Sequence, residues 1–472
     1  LTGDTIGGAG TVAVTNLEVT DGADLSSITA TTHTAEVSGS NTSFTGNLGD
    51  AALTVSSGTF TIGNGATISS AASMSVSGGA TLSGEASKLT GESVSGTGTV
   101  EVTNLDATAT ANLSSLTSTS VTAVSDGAVS FTGNLGKAAL TINGNSTFDA
   151  TTTANLGTGT ILVTTGSTLN VGNTAGLGSG TVTVNGTLNA DASKVSGKTI
   201  DGTGTTAVTN LELTDNANLS SITTTTHTAD VSGDNTSFTG NLGDAALTVS
   251  SGTFTIGNSA TISGAASIDV SGTLTGDAAI LSTEAISGSG TVAVTNLEAT
   301  DAANLSSITA TTHTADVSGS NTSFTGNLGD AALTVSSGTF TIGNGATISG
   351  AASIVVAGTL TGDAAILSGE TISGAGTVAV TNLENTDAAN LSSITATTHT
   401  ADVSGSNTSF TGNLGDAALT VSSGTFTIGN SATTSSAASI TVASGAILSG
   451  DAAILTGDTI GGAGTVAVTN LE

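Results

Sequence analysis

The 472-residue chain has no cysteine, proline, tryptophan, tyrosine or arginine, and its cations are four lysines. Without cysteine there are no disulfides, metal thiolates or thiol nucleophiles; this fits an exported bacterial protein but does not by itself fix a compartment. Four lysines against 35 acidic residues leave a formal charge of −31. That balance disfavours nucleic acid and anionic membrane surfaces as partners, because the chain offers neither a cationic counterpart. Without Trp or Tyr there is no aromatic platform of the kind that lines sugar-binding and polysaccharide-cleaving grooves. Aromatics are only 2% of residues, a level that often accompanies disorder, yet 37% are hydrophobic, regularly spaced and rich in Val, Ile and Leu. That pattern argues for a thin apolar core repeated many times. No stretch reads as a signal peptide or a membrane span, so direct membrane insertion is not expected in this segment.

What the chain does have is repetition. The sequence TVAVTNLE recurs, with small changes, at Thr11, Thr99, Thr205, Thr291, Thr377 and Thr465. These starts define repeats 11–98, 99–204, 205–290, 291–376 and 377–464, with the beginning of a sixth at 465–472. Four of the five are nearly equal, at about 86 to 88 residues, and the second is longer. Residues 1–18 return letter for letter as 455–472, so the expectation is a length cut from a longer array. The block SNTSFTGNLGDAALTVSSGTFTIGN is identical at 40–64, 320–344 and 406–430. An active site is not ordinarily copied in this way, and repetition of this kind points first to architecture.

The second repeat exceeds its neighbours by roughly 20 residues, the length of one small supersecondary element. Within it, LGTGTILVTTGSTLNVGN from Leu156 is followed by the similar LGSGTVTVNGTLNA from Leu177. The second repeat is therefore read as carrying one extra coil, and an ordinary repeat as holding about four. Each coil shows short alternating runs, such as Leu53-Thr54-Val55 and Phe60-Thr61-Ile62, separated by small polar corners. Alternation places Leu53, Val55, Phe60 and Ile62 inward and Thr54 and Thr61 outward. The nearest helical candidate, Asp277-Ala-Ala-Ile-Leu281, is too short to count. The expected fold class is all-β, a parallel β-solenoid (β-helix) built from coils of about 21 residues. It would be one continuous segment over 1–472, roughly 22 coils and about 100 Å long at about 4.8 Å per coil.

Coils in the style of LGSGTVTVNGTLNA, clearest over 155–190, resemble the repeats of autotransporter passengers and filamentous-haemagglutinin-like adhesins. These belong with the giant fibres among bacterial surface proteins, and their fold is a right-handed β-helix. The resemblance implies an extracellular or cell-surface stalk and no particular ligand.

Four His occur at His33, His227, His313 and His399, always within T-T-H-T-A, with Val121 in the aligned slot of the second repeat. A Val in that slot indicates an inward packing position. Copies in successive repeats would lie about four coils, about 19 Å, from one another and could not share a metal ion. The ten Phe come two per repeat, as Phe44 with Phe60 or Phe324 with Phe340, and read as stacked core fillers. A recurring Asp in N-L-G-D-A-A, at Asp50, Asp244, Asp330 and Asp416, becomes Lys137 in the second repeat. These four are the calcium candidates, as weak bridging sites between neighbouring chains. Neither an EF-hand loop nor a G-G-x-G-x-D nonapeptide is present, so diffuse charge for solubility is the plainer reading. Asn-x-Ser/Thr tripeptides recur at Asn41, Asn235, Asn321 and Asn407 and at Asn112, Asn218, Asn304 and Asn390. They are glycosylation acceptors by pattern and corner residues by composition.

No catalytic set is discernible and no cofactor is expected. Each His is isolated among threonines, and the chain has no Arg, Tyr or Trp to build a lyase or hydrolase cleft. The functional expectation is a structural repeat rod of an exported microbial surface protein, self-associating as a fibre, sheath or surface coat. The alternative is a passive adhesin stalk that presents a binding tip outside this segment. Identical rods are the expected partner, with a cell-surface or matrix polysaccharide as the second candidate.

Overall fold

The computed structural model describes residues 1–69, 71–148, 156–172, 176–434, 437 and 439–471. Within the stretch 155–190 that carries the family resemblance, residues 155 and 173–175 lie outside the described set, as does residue 472.

Runs of alternating β-branched, aliphatic and Thr residues form short strands, because period two puts one face on a core and the other in water. In Ala332–Val335 the side chains of Leu333 and Val335 are buried and Thr334 is exposed. Each strand pairs in parallel with its counterpart one coil on. Thr273 faces Thr291, and Thr291 faces Thr312 by a longer step. The shorter step returns from Thr314 to Ala332 and the longer one from Ala332 to Ser353. A wider step still joins Asn304 to Asn327. Coil lengths are thus unequal about a mean of ~20 residues, and the fold is an all-β parallel β-solenoid of about 22 turns.

The chain divides into two compact units, Leu1–Asp230 with Asn241–Ala246, and Val231–Gly240 with Leu247–Glu472. In the first, one sheet stacks Ile6–Val14, Ile28–Val37, Ala52–Val55, Ser73–Val76 and Val94–Gly96. A second runs from Thr59–Ile62 through Thr99–Thr103 and Ser120–Ser125 to Ile200–Asp201. Two strands, Ile161–Val163 and Val182–Val184, stand in it between Ala139–Ile142 and Ile200–Asp201. In the second compact unit a single strand, Ser353–Val356, separates the corresponding Ala332–Val335 and Ile372–Ser373. The first unit thus has one more strand at this place in its sheet than the second.

All ten Phe are fully buried. They meet in pairs from adjacent coils, Phe324 on Phe340 with ring centroids 5.4 Å apart and a 40° tilt. The backbone closes tightly at chosen glycines: a Cβ at Gly326 would sit 2.0 Å from the Ala303 carbonyl oxygen, so the coil admits no side chain there.

At the corners Asn16, Asn104, Asn210, Asn296 and Asn382 adopt left-handed φ of 49° to 54°, which Asn tolerates better than other residues with a Cβ. Some of their side chains reach back one coil: Asn296 Nδ2 donates to Asp277 Oδ2 at 2.9 Å and Asn382 Nδ2 to Asp363 Oδ2 at 3.0 Å. The other oxygen of Asp277 accepts from the Ala279 N–H at 3.0 Å, which caps a single helical turn, Ala278–Leu281. The segment set aside as too short for a helix therefore forms one. So brief a turn cannot repay helix nucleation alone, but here the cap satisfies an orphan N–H and Leu281 is buried. The same turn recurs at Ala86–Leu89, Ala192–Val195, Ala364–Leu367 and Ala452–Leu455.

Candidate functional site

The structure joins two features that stand 17 residues apart in the sequence. T-T-H-T-A is a strand, and its alternation turns the imidazole inward, leaving the His side chains 1% exposed. Further along the coil N-L-G-D makes a tight turn. Asn327 Oδ1 accepts from the Gly329 N–H at 2.9 Å, and Gly329 takes a φ of 59°. This Asx turn sets Asp330 beside His313, with His313 Nδ1 and Asp330 Oδ1 2.9 Å apart. The contact is repeated at His33–Asp50 (3.0 Å), His227–Asp244 (2.9 Å) and His399–Asp416 (2.8 Å). An ionised carboxylate only accepts, so Nδ1 carries the hydrogen and donates it. Nε2 then points into the wall, buried and without a partner in all four copies.

These four carboxylates are the calcium candidates of the sequence. Each is about 60% exposed and engages its His through one oxygen. Among the described residues, no group of three or more His, Asp or Glu converges so as to hold a metal ion. The pairing had a sequence signal, since His and Asp stand 17 residues apart in every copy. The second repeat loses both partners together, as Val121 and Lys137. Lys137 instead donates from Nζ to the Thr117 carbonyl at 2.9 Å.

At His227, burial pushes the imidazole below its ordinary range; the hydrogen bond and negative charge of Asp244 pull the other way. Burial also raises the carboxyls of Glu92, Glu284 and Glu370. Asp387 is held low, chiefly by the hydrogen bond from Thr408, against some burial.

The Asn-x-Ser/Thr asparagines are structural in two ways. Asn321 clamps the backbone of one residue of the next coil, accepting from the Thr341 N–H at 2.7 Å and donating to the Thr341 carbonyl at 2.9 Å. Asn41, Asn235 and Asn407 do the same to Thr61, Thr255 and Thr427. The clamp uses the amide nitrogen that a glycan would have to occupy. In Asn-Leu-Ser, Asn304 Oδ1 accepts from both the N–H and the hydroxyl of Ser306.

Among the described residues no helix is long and apolar enough to cross a membrane. Compared with protein-family models, curated proteins and solved structures, the chain finds no match. Its class rests on its own geometry: a tandem-repeat β-solenoid.

Proposed function

We propose that this chain is a structural repeat segment of an exported microbial surface protein, associating with copies of itself as a fibre, sheath or surface coat. The observation that carries the reading is the copying of structural features in at least four of the five repeats. Buried Phe pairs, Asn clamps and His–Asp contacts recur from repeat to repeat, and polar side chains are spent on closing coils. Such investment suits a mechanical element, whose useful property is length.

The surface charge sets the test. At −31, copies repel at low ionic strength, and screening or divalent bridging lets them approach. Light scattering and electron microscopy should therefore show lateral bundling when sodium chloride or millimolar calcium is added. Chains that stay single through both titrations would contradict self-association and favour the passive stalk. Bundling by calcium beyond that by sodium at matched ionic strength, lost on changing Asp330 and Asp416 to Asn, would assign their exposed oxygens a bridging role.

A further inference from the structure

The second repeat is an internal comparison for the His–Asp contacts. Val121 fills the His slot, buried and in register with Val100, and the coil there closes without a His–Asp contact. In the other four repeats an imidazole stands in a wall that is otherwise apolar or hydroxyl-bearing. Its register partner one coil back is Val12, Thr206, Val292 or Val378. The pair is thus dispensable for forming a coil, yet it spans two successive coils and carries a buried nitrogen with no partner.

We propose that the His227–Asp244 contact is an acid-sensitive latch between successive coils. The neutral imidazole satisfies its carboxylate and leaves only a lone pair in the wall. A second proton would place an N–H at Nε2 where no acceptor lies within reach, and burying an unpaired donor on a cation is costly. Acid therefore favours opening of the coil, which lets the ring reach water.

The surrounding groups support a local response. Ile6–Val14, Thr205–Thr209, Thr291–Thr295 and Thr377–Thr381, the strands before each His, contain no titratable residue. Neither do Ala52–Val55, Ala246–Val249, Ala332–Val335 and Ala418–Val421, which follow. On the His strands themselves Glu36, Asp230, Asp316 and Asp402 lie on the outward face. The adjoining 3-10 turns contribute Glu18, Glu212, Glu298 and Glu384, of which Glu18, Glu298 and Glu384 hold Ser38, Ser318 and Ser404. The facing charge is therefore the paired Asp, which favours the imidazolium while burial disfavours it. At His227 burial prevails. A ring held below its ordinary range contributes its full stability above about pH 6.5 and loses it as pH falls from there through its lower folded-state pKa.

Hydrogen exchange of the intact chain at pH 7.5 and 5.5, corrected for intrinsic rates, tests the latch. The peptide 222–230 should open roughly threefold to tenfold more often at pH 5.5, since each pH unit of displacement is worth a factor of ten. The peptide 117–126, around Val121, should not change. The double substitution His227→Val with Asp244→Lys copies a combination the second repeat already accommodates and should abolish the response. Asp244→Asn removes the charge that favours the imidazolium and should steepen it. Equal protection of 222–230 at the two pH values, or an undiminished response in the double variant, would overturn the proposal.

Discussion

Excising residues 291–376 should leave a folded solenoid, and excising residues 312–321 should not leave its coil closed. The first deletion removes one whole repeat and joins Thr273–Asp277 to a new neighbour, Thr377–Thr381. That strand has the same sequence, TVAVT, as the Thr291–Thr295 it replaces. The parallel register needs no change, because Thr359–Asp363 already pairs with Thr377–Thr381 as Thr273–Asp277 pairs with Thr291–Thr295. The second deletion is far smaller and does more harm. It takes out Thr312–Val317 with His313 and shortens by almost half the run of chain between Asn304 and its bridge partner Asn327. What remains is too short to pass once around the coil. Stability in stacked repeats is a sum of nearest-neighbour terms, so a missing repeat costs one set of terms and a broken coil interrupts the stack. Circular dichroism should keep its β signal per residue in the first variant. Limited proteolysis should cut the second within 291–335 and spare the first.

Phe340→Ala should cost about 3 to 5 kcal/mol in the local opening free energy, as removal of a buried ring leaves a cavity that its neighbours only partly fill. Phe340 is fully buried against Phe324, and its register partner on the next coil is Leu360. Thr341→Ala, one residue on, should stay within about 0.5 kcal/mol. The Thr341 contacts that matter are its backbone bonds to Asn321, and alanine retains both. Urea titration followed by hydrogen exchange of 339–342 separates the two, and equal losses would show that the inward face has been assigned wrongly.

Inward and outward faces were legible in the sequence because alternation fixes them locally: Leu53, Val55, Phe60 and Ile62 are buried as period two requires. The solenoid class was legible because the repeat length is a small multiple of one coil. Contacts set by what lies one coil away were not legible. The His–Asp pairs, the Asn321 clamp and the Asp277 cap with its Asn296 partner all join residues 17 to 20 positions apart. Their recognition needs the register, and coils of unequal length hide it from any uniform period. The short helix at Ala278–Leu281 was missed for a related reason, since it forms through its Asp277 cap and its packing and not through its own length.

The whole solenoid depends on its parallel register, and a chain without cysteine is well suited to testing it. Thr361 and Ala379 are register partners on adjacent coils, both on the outward face. Parallel neighbours about 4.8 Å apart fall within the Cα separation that a disulfide spans. Thr361 and Thr381 are offset by one further outward position, at about 8 Å, beyond that span. Oxidation should close the disulfide rapidly in the Thr361→Cys, Ala379→Cys variant and not in the Thr361→Cys, Thr381→Cys variant. Equal rates, or faster closure of the second pair, would contradict the solenoid register described here.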